Sequence, residues 1–312
     1  MTKLPDSPDF MSDLCQRLAE LTQGVNILET QIPGFQLTRF ESPTEPTSYT
    51  MGMSLCLIAQ GRKRVMLGED SYDYDAQHFL VTSVDLPVVG KILEASEDRP
   101  FLGMIIGLDQ QQLATLLVDS DLPVESGRST DRGIGVSEVT QPMFAVISRL
   151  IDLLDTPQHI PILAPLIQKE LLYYLLIGPQ GPRLRQIVLA NSHGHQVYKA
   201  IEWLKQHYKE AQGIDQLAEL VNMGRSSFYQ HFRSITSLSP LQYRKHLRLQ
   251  EARRLMVVER MDATTAAFAV GYESPTQFNR EYRRLFDCSP AMDANLLRQS
   301  VGSHNPLNVL TG

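Results

Sequence analysis

Residues 217–232, LAELVNMGRSSFYQHF, and residues 266–282, AAFAVGYESPTQFNREY, set out one pattern twice, about fifty positions apart. In the first copy IDQLAELV reads as a short helix with Leu217, Leu220 and Val221 turned inward and Ala218 small enough for another helix to approach. NMG makes a tight turn. The helix that follows keeps Phe228, Phe232 and Ile235 at i, i+4 and i+7, one face of a 3.6-residue period. Its opposite face is Ser226, Gln230 and Arg233, flanked by Arg225 and Tyr229. The second copy has a turn one residue longer, an inward stripe of Phe278, Tyr282 and Leu285, and an outer face of Thr276, Arg280 and Arg283 beside Gln277 and Asn279. Neither outer face carries an acid. Each copy then closes in Ser-Pro, at Ser239-Pro240 and Ser289-Pro290. A serine that caps a helix and a proline with no N–H to lose start a new helix there.

Two short helices joined by a tight turn, the second polar and acid-free in front, match the helix-turn-helix reader of duplex DNA. Arg bonds guanine in a bidentate way, Gln and Asn do the same with adenine, and Ser, Thr and Lys hold phosphates. A helical bundle with a solvated face is the bland alternative. A second unit in register argues against it. The stretch PLQYRKHLRLQEARRLM predicts a connecting helix over 240–256, about 25 Å long. Such a rod separates two reading helices enough for neighbouring major-groove segments, about 34 Å apart on one face of the duplex. Its Arg244, Lys245, Arg248, Arg253 and Arg254 either reach phosphates or pair with acids such as Glu251.

Charge divides along the chain. Residues 1–194 carry 14 lysines and arginines against 24 acids, a net −10, whereas residues 195–312 carry 15 against 11, a net +4. A basic half joined to an acidic one suits a DNA-reading module tethered to one that does not touch DNA.

The first half has a different texture. FMSDLCQRLAELTQ (10–23) has helical spacing. From 32 to 108, short runs such as MGMSLCLIA, RKRVML, HFLVTSV, PVVGKIL and FLGMIIGL alternate with turn signals, which predicts a small β-sandwich or barrel. After Asp109 the pattern turns helical, with DQQQLATLLVDS, PMFAVISRLIDLLDT and PILAPLIQKELLYYLLIG packed on the barrel, one of them a candidate to pair with its copy. Met51, Met53, Met66, Phe79 and Met104 are the candidate lining of an effector pocket, with plain core packing as the alternative. His78 stands alone among the strands, so no metal site is expected, and His193 and His195 read as solvated loop residues. Cys15, Cys56 and Cys288 form no CxxC, and Cys56 reads as core. The longest apolar candidate, LLYYLLIG, is short for a membrane span, and MTKLPDSPDFMSDL lacks the look of a leader, so a cytoplasmic protein with no membrane partner is expected.

Taken together, GIDQLAELVNMGRSSFYQHFRSITSLSPLQYRKHLRLQEARRLM and AAFAVGYESPTQFNREYRRLFDCSP resemble the DNA-binding domain of AraC/XylS-type transcription regulators. HFLVTSVDLPVVGKILEASEDRPFLGMIIGLD is similar to the amino-terminal domain of one AraC-type subgroup. Two positions depart from the family pattern: Gly224 stands where a capping serine is usual, and Asp293 where tyrosine is usual. The resemblance implies an α+β chain, with a cupin-like β-barrel and packed helices followed by an all-α domain of two helix-turn-helix units on a long helix. The expected division is a sensing or dimerising domain over 1–180, a linker over 181–194, the DNA-binding domain over 195–300 and a tail over 301–312. Double-stranded DNA is the expected partner; an unidentified small-molecule effector, RNA polymerase and a second copy of the chain are candidates, and no cofactor is expected. The rival readings are a cupin-type enzyme with a helical accessory domain, and an interaction module whose helices bind protein.

Overall fold

Along LPVVGKILE, residues Leu86–Glu94, buried and partly exposed side chains alternate, the period-two mark of a strand with one covered face. The computed structural model describes residues 8–119, 132–189, 192–210 and 214–301. The start of the chain at 1–7 and the expected tail from 302 onward lie outside the described residues. Helix α1 (Pro8–Leu21) is followed by β1 (Ile27–Glu29), β2 (Phe35–Phe40), β3 (Thr47–Met51), β4 (Ser54–Gln60), β5 (Arg62–Leu67), β6 (Asp70–Asp75), β7 (His78–Thr82), β8 (Leu86–Glu94) and β9 (Phe101–Gly107). After α2 (Gln110–Asp119) the chain returns to strand as β10 (Ile134–Glu138). One sheet runs β1-β2-β9-β4-β7-β10 and the other β3-β8-β5-β6, all antiparallel. Together they form the two-sheet layer pair expected from the short runs, in the cupin-like form that the family resemblance implied.

Strand β10 corrects the expectation that everything after Asp109 is helical. IGVSE pairs with β7, with Ile134 opposite Thr82 and Glu138 opposite His78. That pairing bridges some fifty residues, and five residues with a glycine give no local period to find. DSYDYD, now β6, is a polar strand at the sheet edge, held by pairs such as Arg64 to Asp73 at 2.6 Å.

Helices α3 (Gln141–Asp152), α4 (Ile160–Ile177) and α5 (Gly181–Val188) pack in sequence on one another. The stretch expected as a linker therefore contains a helix, with Leu184 and Ile187 buried. Residues 157–177 are long and apolar enough to cross a membrane by length and composition, which the short run LLYYLLIG had not suggested. Leu171, Leu172, Leu175 and Leu176 on this helix are buried, so one side of it belongs to the protein core. Ile162, Leu166, Tyr173 and Ile177 on the same helix are exposed.

The remaining helices are α6 (His193–His207), α7 (Ile214–Leu220), α8 (Arg225–Thr236), α9 (Pro240–Val258), α10 (Ala263–Ala269), α11 (Pro275–Phe286) and α12 (Pro290–Val301). Ser239 opens α9 with a capping box, its side chain accepting from the Gln242 N–H while Gln242 reaches back to the Ser239 N–H. Both α8 and α11 stop at a left-handed residue, Ser237 at φ 61° and Asp287 at φ 56°. The repeat seen in the sequence is therefore a repeat of backbone geometry. His193 and His195 are not loop residues. They begin α6, where His193 stacks on His231 at 3.7 Å and the His195 Nδ1 lies 2.7 Å from the Ile187 carbonyl.

Asp293, the residue out of keeping with the family pattern, has a structural partner. Its carboxylate accepts from Arg253 Nε at 2.8 Å, Arg253 Nη2 at 3.0 Å and Tyr282 Oη at 2.6 Å, and both charged residues are buried. Arg253 also lies over the Phe286 ring at 4.3 Å. Removing one partner leaves a buried charge unpaired. Asp293→Asn should therefore destabilise the fold by about 3–5 kcal/mol in urea unfolding, a cost in the range seen when a buried pair is broken.

The two halves meet at a polar seam. The Gly133 N–H donates to the Ile235 carbonyl at 3.0 Å, Arg132 donates to the Ser234 carbonyl and to Ser237 Oγ, and Tyr243 Oη donates to the Asp85 carbonyl at 2.9 Å. Lys205 pairs with Asp85 at 2.8 Å, and Gln250 donates to the Ser48 carbonyl of β3. His246, buried one turn before Gln250, has its pKa lowered by burial to about 4. With the folded value below the unfolded one near 6.5, the unfolded chain binds the extra proton, so stability falls as pH drops from about 6.5 to about 4. His246→Gln should remove that part of the acid sensitivity, on the order of 3 kcal/mol across the window, as read by melts at stepped pH.

Candidate nucleic-acid interface

The polar faces of α8 and α11 are turned outward by what lies behind them. Phe228, Phe232, Phe278 and Tyr282 are fully buried, while Ile235 and Leu285 are partly so. Phe228 meets Phe232, and Phe232 meets Tyr243 of α9, each edge-on at 5.5 Å. In the second unit Tyr272, in the turn before α11, meets Phe278 edge-on at 5.3 Å, and Leu249, Ala252, Leu255 and Met256 of α9 share the core with Phe278 and Tyr282. These rings seat each second helix on the rod at a set rotation. Leu217, Ala218 and Val221 are buried as the period requires, but Leu220, in the last turn of α7, is 56% exposed.

Arg225, Ser226, Gln230 and Arg233 on α8 are exposed, and so are Thr276, Gln277, Asn279, Arg280 and Arg283 on α11. Tyr229 is partly buried beneath the Arg225 guanidinium, 6.0 Å from its ring. Arg284, adjoining Arg283, is also exposed and had not been singled out; it sits one position off the outward stripe. Glu281, the acid on α11, faces inward. It is bound by Lys245 at 2.7 Å and by Tyr272 Oη at 2.8 Å. Burial works to raise its pKa, but hydrogen bonds from Lys245, Tyr272 and Gln277 outweigh this and lower it. The outer face of each second helix thus stays free of acid. Among the described residues Arg280 and Arg283 enter no ion pair.

The connecting helix runs 19 residues, roughly 28 Å. Its cations are mostly occupied by the protein. Arg248 caps carbonyls of Tyr208, Lys209, Glu210 and Gly271, Arg253 is buried on Asp293, Arg254 pairs with Glu251 and Glu259 at 2.8 Å, and Arg244 donates to the Glu210 carbonyl. Ser274 caps α11 by accepting from the Gln277 N–H, whereas α8 begins at Gly224 without a side-chain cap.

In the first half, Met51, Phe79 and Met104 are buried core residues, and Met53 and Met66 are partly buried. Met51 borders a cavity of about 190 Å³ with Tyr49 and Cys56. A larger cavity of about 370 Å³ has Tyr49, Lys63 and Phe101 on its wall and none of the five predicted residues. Its sequence signal was the alternation in RKRVML, which puts Lys63 on the same strand face as Val65 and Leu67. Burial pushes the Cys56 thiol up, as expected of a core cysteine. His78 bonds Asp75 at 2.8 Å.

The fold and these faces have counterparts among known proteins. Residues 31–183 match the family model of the AraC-type transcriptional regulator N-terminus, and residues 217–293 match a helix-turn-helix domain model. The HTH-type transcriptional regulator ExsA of Pseudomonas aeruginosa is 29% identical over 134 residues, 43% of this chain and 48% of its own length. The RCS-specific HTH-type transcriptional activator RclR of Escherichia coli is 34% identical over 86 residues, 28% of this chain and 30% of its own length. The chain thus spans about half or less of the length of these two relatives. ToxT from Vibrio cholerae, solved with an unsaturated fatty acid bound, covers 86% of this chain and 97% of its own with a TM-score of 0.58 at 10% identity, a likeness of fold.

Proposed function

Since the chain belongs to the AraC-type transcriptional regulators, we propose that it binds duplex DNA sequence-specifically, α8 and α11 each entering one of two successive major-groove segments. The observation that carries this is the pair of exposed, acid-free faces, each seated on the same buried aromatic packing. Gln230, Asn279 and Arg280 have the chemistry to read base edges. Arg225, Ser226, Tyr229, Arg233, Thr276, Gln277 and Arg283 are suited to phosphates or to neighbouring bases. The rod contributes little to phosphate binding in this reading, because its arginines are spent on carbonyls and carboxylates.

The barrel half senses or dimerises. The likeness to ToxT supports a small-molecule effector, and the exposed apolar flank of α4 supports pairing with a second copy. Contact with RNA polymerase, a cytoplasmic location and a division near 1–180, 181–194, 195–300 and 301–312 belong to the same proposal. The named relatives are transcription regulators, which favours this reading over an enzyme with a helical appendage.

The full chain should bind duplex DNA with an affinity that falls steeply as salt rises, and site selection from random duplexes should yield one recurring sequence. Arg280→Ala should cost about 1–3 kcal/mol on that sequence and much less on random DNA. Equal loss on both would assign Arg280 to phosphates, and no DNA affinity at all would overturn the proposal. Ile162→Glu with Leu166→Glu should shift a dimer to monomer in sedimentation while the chain stays folded by circular dichroism, because both side chains are exposed on the single chain.

A further inference from the structure

Glu281, the acid on α11, is held mostly by groups from outside that helix. Its side chain is 16% exposed. Oε1 accepts from Lys245 Nζ of α9 at 2.7 Å and from the Gln277 side-chain Nε2 at 3.2 Å, while Oε2 accepts from Tyr272 Oη at 2.8 Å. Tyr272 is itself fixed. Its ring is buried, meets Phe278 at 5.3 Å and lies 5.9 Å from the guanidinium of Arg248, which in turn donates to the Gly271 carbonyl. The rod and the turn before α11 thus set the position of the carboxylate.

Gln277, one turn earlier on α11, is tied twice. Ser274 Oγ accepts from its backbone N–H at 3.4 Å, and Glu281 accepts from its side chain. Burial works against the charge on Glu281, but hydrogen bonds from Lys245, Tyr272 and Gln277 outweigh it, so the group is ionised at neutral pH. An ionised carboxylate only accepts, which fixes the nitrogen end of the Gln277 amide as the end turned toward it. A lone i, i+4 pair is weak because two long side chains have to be ordered together. Here one partner is already in place. The other end of the amide, Oε1, meets no donor among the described residues, and its side chain is exposed beside Thr276 and Arg280. Where the second unit has Gln277 and Glu281, the first has Ser227 and His231, so this arrangement belongs to α11.

We propose that Glu281 is a positioning residue for base recognition. It turns Gln277 so that the amide oxygen faces the groove and selects adenine or cytosine over guanine or thymine at one position of the facing strand. The proposal rests on the regulator reading, in which α11 lies in a major groove. Adenine N6 and cytosine N4 are donors at the place where guanine O6 and thymine O4 are acceptors. An oxygen aimed there bonds the first two and is repelled by the others. An untethered glutamine can present either end of its amide and would accommodate all four. The same oxygen has nothing to offer a phosphate, which only accepts, so Gln277 falls among the base contacts.

The test uses the sequence that the full chain selects from random duplexes. Each of its base pairs is replaced in turn by the other three, and the panel is titrated by fluorescence anisotropy against the parent and its variants. At one pair the parent should favour adenine and cytosine on one strand over guanine and thymine by at least about fivefold. Gln277→Met, which keeps the side-chain length and removes the oxygen, should flatten that preference. Glu281→Gln should flatten it at the same pair, and the double variant should lose no more there than Gln277→Met alone, since one residue acts through the other. A role in packing alone would instead weaken every pair under α11 and add to the effect of Gln277→Met. Glu281→Asp, which keeps a charge for Lys245 but shortens the reach to Gln277, gives the same reading should Glu281→Gln fail to fold. The proposal is overturned if Gln277→Met changes no base preference, if the parent divides the four pairs there in any other way, or if the loss in the Glu281 variants spreads evenly over the site. Those results with sequence selection intact leave the regulator reading standing, whereas no selected sequence at all would sink that reading and this one with it.

Discussion

The outer surfaces of α8 and α11 depend on the aromatic packing behind them. A helix has no preferred rotation of its own; burial of Phe228 and Phe232 on one, and of Phe278 and Tyr282 on the other, selects one. Once those rings are inside, the residues half a turn away have to face water or a partner. The edge-on contact of Phe232 with Tyr243 carries the constraint onto α9, so the rod and α8 share one core. The second unit repeats the arrangement through Tyr272, Phe278 and Tyr282, with the Arg253–Asp293 pair sealing the far side.

That sealing changes how the basic residues of the chain are read. The carboxyl-terminal half looks positively charged in sequence, and its rod looks like a strip of phosphate contacts. In the fold Arg253 is buried, Arg248 and Arg244 cap backbone carbonyls, and Arg254 is held by two glutamates. Exposed arginines remain on the outward faces of α8 and α11, at Arg233, Arg280, Arg283 and Arg284. Net charge by half of the chain therefore says little about where free cations sit, because most of the rod's are held by carbonyls and carboxylates.

The seam joins the halves through backbone carbonyls more than through side-chain pairs. Carbonyls of Leu67, Asp85, Ser48, Ser234 and Ile235 all serve as acceptors there. Contacts of this kind hold register without demanding particular residues opposite, and they place the end of α8 directly against the barrel. Ser237, left-handed at φ 61° and held by Arg132, marks the spot where the end of α8 meets the barrel.

Sequence alone determined the parts governed by local period and capping. The start of the connecting helix at 240, the strand run RKRVML, the Ser-Pro starts and the two inward stripes follow from neighbours a few residues apart, and so do the exposed candidates Gln230 and Arg280. Tertiary structure decided what depends on residues far apart in the chain. Strand β10 exists because β7 lies beside it, and Asp293 is tolerated because Arg253 and Tyr282 converge on it. The larger cavity belongs to the same class: Tyr49, Lys63 and Phe101 come from strands scattered over fifty residues, and only the closing of two sheets brings an amine, a hydroxyl and an aromatic wall to face one space.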